Sequence, residues 1–142
     1  MFRSILVPID LDQESSWQRA LPVADRMAHD HGARLHALTV LPGFGMSLVG
    51  SYFPADFERR AHDTYAARLE SLVQQHCREP GGVTTHVRHG TIYAEILAAA
   101  RELDCDLIVM ASHRPALADY LLGPNAARVV RHADRSVFVV RG

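Results

Sequence analysis

At 142 residues, with 48% hydrophobic and 22% charged side chains, the chain has the length and composition of a single globular domain spanning residues 1–142. Its formal charge of −1 provides no general field toward nucleic acid or an acidic membrane, and its two cysteines, Cys77 and Cys105, stand at no metal or disulfide spacing. All 15 basic residues are arginine. Without a lysine, a P-loop phosphate site, Schiff-base chemistry and a protein-kinase centre are excluded, so any phosphate must be met by backbone N–H groups, helix ends and arginine.

The apolar, β-branched run at residues 4–9 predicts a buried strand ending at Asp10. It is too short for a signal-peptide core or a membrane helix, which makes a cytoplasmic protein the expectation. A polar turn follows, and Trp17, Leu21, Ala24 and Ala28 then recur at helical spacing. A helix beginning near Ser16 would carry Pro22 in its second turn, where a kink is expected. Gly32 closes that helix, and residues 35–41 read as the second strand.

Residues 42–54 show no period and predict a long loop, a class of segment that is often functional. Phe57, Ala61, Tyr65, Leu69, Leu72 and Val73 mark an amphipathic helix. Residues 83–89 alternate as a half-exposed or edge strand does. Ile92, Ile96, Leu97, Ala100 and Leu103 form the stripe of a third helix, and residues 106–111 read as a central buried strand. A loop over 112–122, a helix over 124–132 and a strand over 136–140 complete the chain. Five strands alternating with four helices predict a doubly wound parallel α/β sheet with helices on both faces. Such sheets bind ligands at the carboxyl ends of their strands, where the winding reverses. The candidate rim is then Asp10 together with Ser112, His113 and Arg114.

Asp10 is followed by no glycine-rich loop, so it opens no dinucleotide fingerprint. A carboxylate there can accept a ribose hydroxyl or reach a Mg2+ ion, and it can equally be a solvated turn aspartate. Gly123 precedes a short helix whose N-terminal N–H groups suit an anion, with Arg114 as a charged partner from the same loop. Pro124 fits the first helical turn but removes one donor. An ordinary strand-to-helix connection with a glycine cap explains the same residues about as well. The nine histidines show no zinc spacing: His29 and His31 diverge on a helix, and His86 and His89 face opposite sides of a strand. They are expected at the surface. Ser112-His113 lacks the setting of a nucleophile elbow.

The segments Ile5-Leu6-Val7-Pro8-Ile9-Asp10, Gly32 through Val40, Asp106 through His113 and Leu121-Leu122-Gly123-Pro124-Asn125-Ala126-Ala127 resemble the universal stress protein family, over essentially the whole length. The resemblance implies strand order 3-2-1-4-5 and a nucleotide lying across the first and fourth strands. It places the contacts at Pro8, Ile9 and Asp10, at Val40 for the base, at Ala111, Ser112, His113 and Arg114, and at Gly123, Pro124, Asn125 and Ala126. It implies ATP as ligand, with Mg2+ near Asp10, a nucleotide-dependent regulatory role in the stress response, and no assigned catalytic residue. It also implies a homodimer through the last strand, with Val137, Phe138, Val139 and Val140 at the interface, an unnamed protein partner, no nucleic acid and no membrane insertion.

The family's phosphate motif is Gly, two residues, Gly, nine residues, then Gly followed by Ser or Thr. Here the first glycine is Ala111, the second is Arg114, the spacing to Gly123 is one residue shorter, and Pro124 replaces the hydroxyl residue. The Ser112-His113-Arg114-Pro115 pattern resembles a branch that lacks the second glycine and is still regarded as nucleotide-binding. The alternative implied by these departures is a nucleotide-free, dimeric interaction protein of the same fold.

Overall fold

A computed structural model describes residues 1–41, 56–112 and 123–142. The long loop expected at 42–54, and His113 and Arg114 with the rest of 113–122, lie outside the described residues. Five strands, β1 (Ser4–Pro8), β2 (Arg34–Leu41), β3 (Val83–His89), β4 (Leu107–Ser112) and β5 (Ser136–Arg141), form one sheet. Their order is β3-β2-β1-β4-β5, and every neighbouring pair is parallel. Helices α1 (Ala20–His31), α2 (Phe57–His76), α3 (Ile92–Glu102) and α4 (Pro124–His132) connect them. The doubly wound fold and its strand order are those expected.

Alternating side chains of the central strands feed two separate cores, as a sheet covered on both faces requires. Ile5 and Val7 of β1 pack with Leu21 and Ala24 of α1 and Leu69 and Val73 of α2. Leu6 of β1 and Ile108 of β4 pack on the other face with Ile96 and Ala100 of α3 and Val129 of α4. The two connections before β3 therefore lie on one face and the two after it on the other. The reversal falls between β1 and β4. At the opposite end of this seam the Asp106 carboxylate accepts the backbone N–H groups of Arg3 and Ser4 at 3.0–3.2 Å, fixing where the two strands start.

Two expectations need correction. The chain after β1 first makes a short 3-10 turn, Glu14–Ser16, and regular helix begins only at Ala20. Pro22 is thus the third helical residue, in the first turn of α1 and not the second; the bonds on either side of it run back into the preceding turn, Leu21 N–H to the Trp17 carbonyl and Val23 N–H to the Arg19 carbonyl. Gly32 closes α1 at φ 63°, with the Ala33 N–H on the Ala28 carbonyl at 2.8 Å.

The histidines are not all at the surface. His36 of β2 is buried, and its Nδ1 lies 3.0 Å from Nε2 of His86 on β3. One nitrogen must donate and the other accept, so the pair shares a single proton at that contact. Burial is the first cause holding both imidazoles below their ordinary range. For His36 the His86 ring and then Arg34 add to it, and for His86 Arg88 does. Both thiols are interior groups, and burial, with Asp25 nearby, pushes Cys77 up to about 11.

The histidine pair makes stability depend on pH in a definite direction. Below the ordinary imidazole pKa of about 6.5 the unfolded chain binds protons that the folded pair resists, so stability falls as pH falls through that value. Thermal melts between pH 7.5 and 5.0 should show a steeper loss for the natural chain than for the double variant His36→Gln, His86→Gln. Parallel loss in the two proteins would contradict this assignment.

Candidate functional site

Pro8 decides where β1 and β4 separate. In a parallel sheet a residue directs its N–H and C=O to the same neighbouring strand, and consecutive residues alternate. The Ser4 carbonyl accepts from Asp106, ahead of β4, whereas Arg3 and Ile9 bond toward β2. Even-numbered residues of β1 therefore face β4, and the N–H that Pro8 lacks is the donor the next rung would use. Pairing between β1 and β4 is registered only at Ile5–Leu107 and Leu6–Ile108, although β4 runs on to Ser112.

β2 also outruns β1. Its last pairing with β1 is Leu38–Pro8, while its pairing with β3 continues to Leu41–His89. The Leu38 carbonyl accepts the Ile9 N–H at 2.7 Å, and by the same alternation Val40 directs its N–H and C=O to the side from which β1 has withdrawn. A donor and an acceptor that no β1 residue meets, spaced along one strand, can read the edge of a planar heterocycle.

The gap opens into a cleft of about 420 Å3, within the range of small-ligand sites. Pro8, Ile9 and Asp10 line it from β1, and Val40 from β2. Ala111 and Ser112 line it from β4, and Gly123, Pro124, Asn125 and Ala126 from the start of α4. The fold thus brings together all ten of the expected site residues that fall among the described residues. Leu38, Ile92, Ile96 and Met110 add apolar walls, which sequence reasoning had placed in the core because they sit on the stripes of α3 and the central strands. Asp12, Ser16 and Tyr65 also line the cleft and were not anticipated. In the sequence Asp12 and Ser16 belong to the polar turn after the first strand, and Tyr65 reads as one apolar position of α2.

The floor near Asp10 is built by short-range bonds. Oδ1 of Asp10 accepts the Asp12 N–H at 3.0 Å, an Asx turn. The Asp10 N–H donates to Oγ of Ser16 at 2.8 Å, and that hydroxyl donates back to the Asp10 carbonyl at 2.9 Å. Oδ1 is therefore bonded to the loop, while Oδ2 has no partner among the described residues.

At the other end Gly123 caps α4 with extended backbone, and Pro124 occupies the first helical position. The Gly123 N–H donates to Oγ of Ser112 at 3.2 Å, so it is spent on the protein, while the Ser112 hydroxyl proton stays available as a donor. In the first turn a helix offers its N–H groups no carbonyl of its own. With Gly123 bonded and Pro124 lacking a donor, the N–H groups of Asn125 and Ala126 are the ones at the positive end of the helix dipole. The arrangement can hold an anion near the start of α4 and a flat polar heterocycle against β2.

Among the described residues no three or more His, Cys, Asp or Glu side chains lie together as a metal site, and no helix is long and apolar enough to cross a membrane.

Ser112→Ala removes the acceptor for the Gly123 N–H in a buried setting. The expected cost is about 1–3 kcal/mol, read as a lowered midpoint in denaturant unfolding, with the far-UV spectrum unchanged. An unaltered midpoint would mean that this bond does not fasten the start of α4 to β4.

Comparison with known proteins gives consistent results. The family model described as "Universal stress protein family" matches residues 1–141. Universal stress protein G of Shigella flexneri is 35% identical over 144 residues, covering 99% of this chain and all of that protein. The structure of universal stress protein UspA from Lactobacillus plantarum aligns at a TM-score of 0.72 with 26% identity, over 98% of this chain and 97% of that one. Two more distant structures carry a nucleotide in their descriptions. One is a universal stress protein in complex with cAMP (22% identity, TM-score 0.62, covering 99% and 97% of the two chains). The other is the universal stress protein from Archaeoglobus fulgidus in complex with dAMP (18%, TM-score 0.62, 98% of each chain).

Proposed function

The chain belongs to the universal stress protein family, and on that premise we propose that it is an ATP-binding, dimeric regulator whose nucleotide occupies the cleft between β1 and β4. The observation that carries the reading is the early end of β1 at Pro8, which frees the backbone edge of β2 at Val40 within a cleft that also holds Asp10 and the start of α4. The nucleotides bound by the two distant relatives support the adenine class of ligand.

The residues present fit such a ligand. The base would lie on Val40 between apolar walls, the sugar by Oδ2 of Asp10, and the phosphates by the Ser112 hydroxyl and the Asn125 and Ala126 N–H groups. Arg114 and His113, in the adjoining segment, are proposed as further phosphate contacts. Mg2+, which takes one or two carboxylate ligands together with substrate phosphates, is proposed beside Asp10, whose carboxylate oxygens keep lone pairs beyond the one a sugar hydroxyl would use. The dimer is proposed through β5, whose outer edge has no neighbouring strand among the described residues and whose Phe138 is 45% exposed. The proposed setting is the cytoplasm.

One observation favours a second reading, a nucleotide-free interaction protein. Pro124 and the Ser112-bonded Gly123 together remove two of the donors that the start of a helix ordinarily gives to phosphate. A lost charge-assisted bond is worth about 1.5–3 kcal/mol, roughly ten- to a hundredfold in affinity, which weakens binding without abolishing it.

Equilibrium dialysis of the folded protein with ATP and Mg2+ separates the two. Retention of ATP at millimolar concentration or below is expected, and Arg114→Ala should weaken ATP about tenfold while leaving adenosine nearly unchanged. No retention by the natural chain, with binding appearing only in Pro124→Ser, would establish the nucleotide-free reading.

A further inference from the structure

We infer that Tyr65 of α2 is a positioning residue for the sugar end of the cleft, holding Asp10 in place through Asp12; the inference rests on the nucleotide reading above. Asp10 lies in the stretch between β1 and α1, of which residues 9–13 carry no regular secondary structure. Apart from the Ile9 N–H on the Leu38 carbonyl at its start, the local bonds that shape this stretch run among its own residues. The anchor from outside comes from α2, more than fifty residues on. The Tyr65 hydroxyl donates to Oδ2 of Asp12 at 3.0 Å, and Arg68 donates to Oδ1 of Asp12 at 3.1 Å and to the Leu11 carbonyl at 3.2 Å. The guanidinium of Arg68 lies 4.9 Å from the centre of the Tyr65 ring, so the two α2 side chains also hold each other.

Both carboxylate oxygens of Asp12 are thereby bonded to α2, and its backbone N–H is bonded to Oδ1 of Asp10. The chain of contacts Tyr65–Asp12–Asp10 is continuous. Tyr65 and then Arg68 hold the Asp12 carboxyl below its usual range, so it stays an ionised acceptor at neutral pH. Tyr65 and Asp12 both line the cleft, so the clamp lies at the wall that a bound nucleoside would meet. Asp10 has one oxygen left for a sugar hydroxyl, and the direction of that oxygen is set by the bond that the other makes to Asp12. Removing the clamp leaves Asp10 chemically intact and its orientation less defined. The consequence is a loss of discrimination at the sugar, with base and phosphate contacts untouched.

The test compares the natural chain with Tyr65→Phe, which keeps the ring beneath Arg68 and removes the hydroxyl alone. The probes are ATP, 2′-deoxy-ATP and 3′-deoxy-ATP in equilibrium dialysis, with amide hydrogen exchange of the ligand-free protein. The natural chain is expected to prefer ATP over at least one deoxy analogue. In Tyr65→Phe the Asp12 amide should exchange faster, ATP affinity should fall about five- to tenfold, and the preference should shrink toward one. If the natural chain retains none of the three, the nucleotide reading is overturned and the inference with it. If it binds ATP without preference for either hydroxyl, or if Tyr65→Phe keeps the natural preference ratio, the inference alone is overturned.

Discussion

The architecture turns on a backbone donor that is absent. Pro8 sits where β1 would otherwise give its next N–H to β4, on the central strand of the five-stranded sheet. A proline deep inside a central strand would leave a carbonyl of its neighbour unpaired in the core, a cost comparable to a lost hydrogen bond. Placed at the last residue of the strand, the same proline ends the ladder at the surface. β2 and β4 continue on either side of it, and the space between them becomes the cleft. The reversal of winding between β1 and β4 keeps helices from covering that space, because α1 and α2 pack on one face and α3 and α4 on the other.

Beyond the Ile9 N–H, which still bonds the Leu38 carbonyl of β2, the loop after Pro8 runs without sheet pairing. It is built from Asp10, Asp12 and Ser16, which bond one another's backbone, and from α2, whose Tyr65 and Arg68 hold Asp12. The rigidity of the loop thus comes from two sources of different reach, one within seven residues and one across the fold. The exposed Arg68–Asp12 ion pair contributes little by itself in water. Its effect lies in geometry, since it aligns a carboxylate whose neighbour lines the cleft.

At the opposite wall the start of α4 is arranged more sparingly. A glycine cap normally presents its own N–H to an anion, but Gly123 gives that group to Ser112. The exchange ties the start of α4 to the end of β4 and leaves the serine proton as the outward donor. Together with Pro124 this makes an anion site with fewer backbone donors than a helix start commonly offers.

Much of this was legible in the chain, the strand order through the resemblance. Apolar runs in β1 and β4 announced central strands buried on both faces, and the helical stripes fixed α2, α3 and α4 closely. Ten of the cleft-lining residues were named from the resemblance in their motifs, with Asp10, Ser112 and Gly123 also singled out by position. The start of α1 was misplaced because the 3-10 turn Glu14–Ser16 precedes the regular helix without a break in the helical spacing of Trp17, Leu21 and Ala24, which does not distinguish the two. The His36–His86 pair was missed because residues fifty apart meet only through strand register, which periodicity within one segment does not contain. Tyr65 was hidden for the same reason: on a helix it counts as one more apolar position, and its hydroxyl gains meaning only when the loop of Asp12 is brought to it. By itself the sequence determined which segments could bury apolar faces, and that no lysine chemistry is open to this protein. Only the tertiary structure decided which polar groups face one another across the cleft, because hydrogen bonds act over about 3 Å and depend on elements that are distant in the chain.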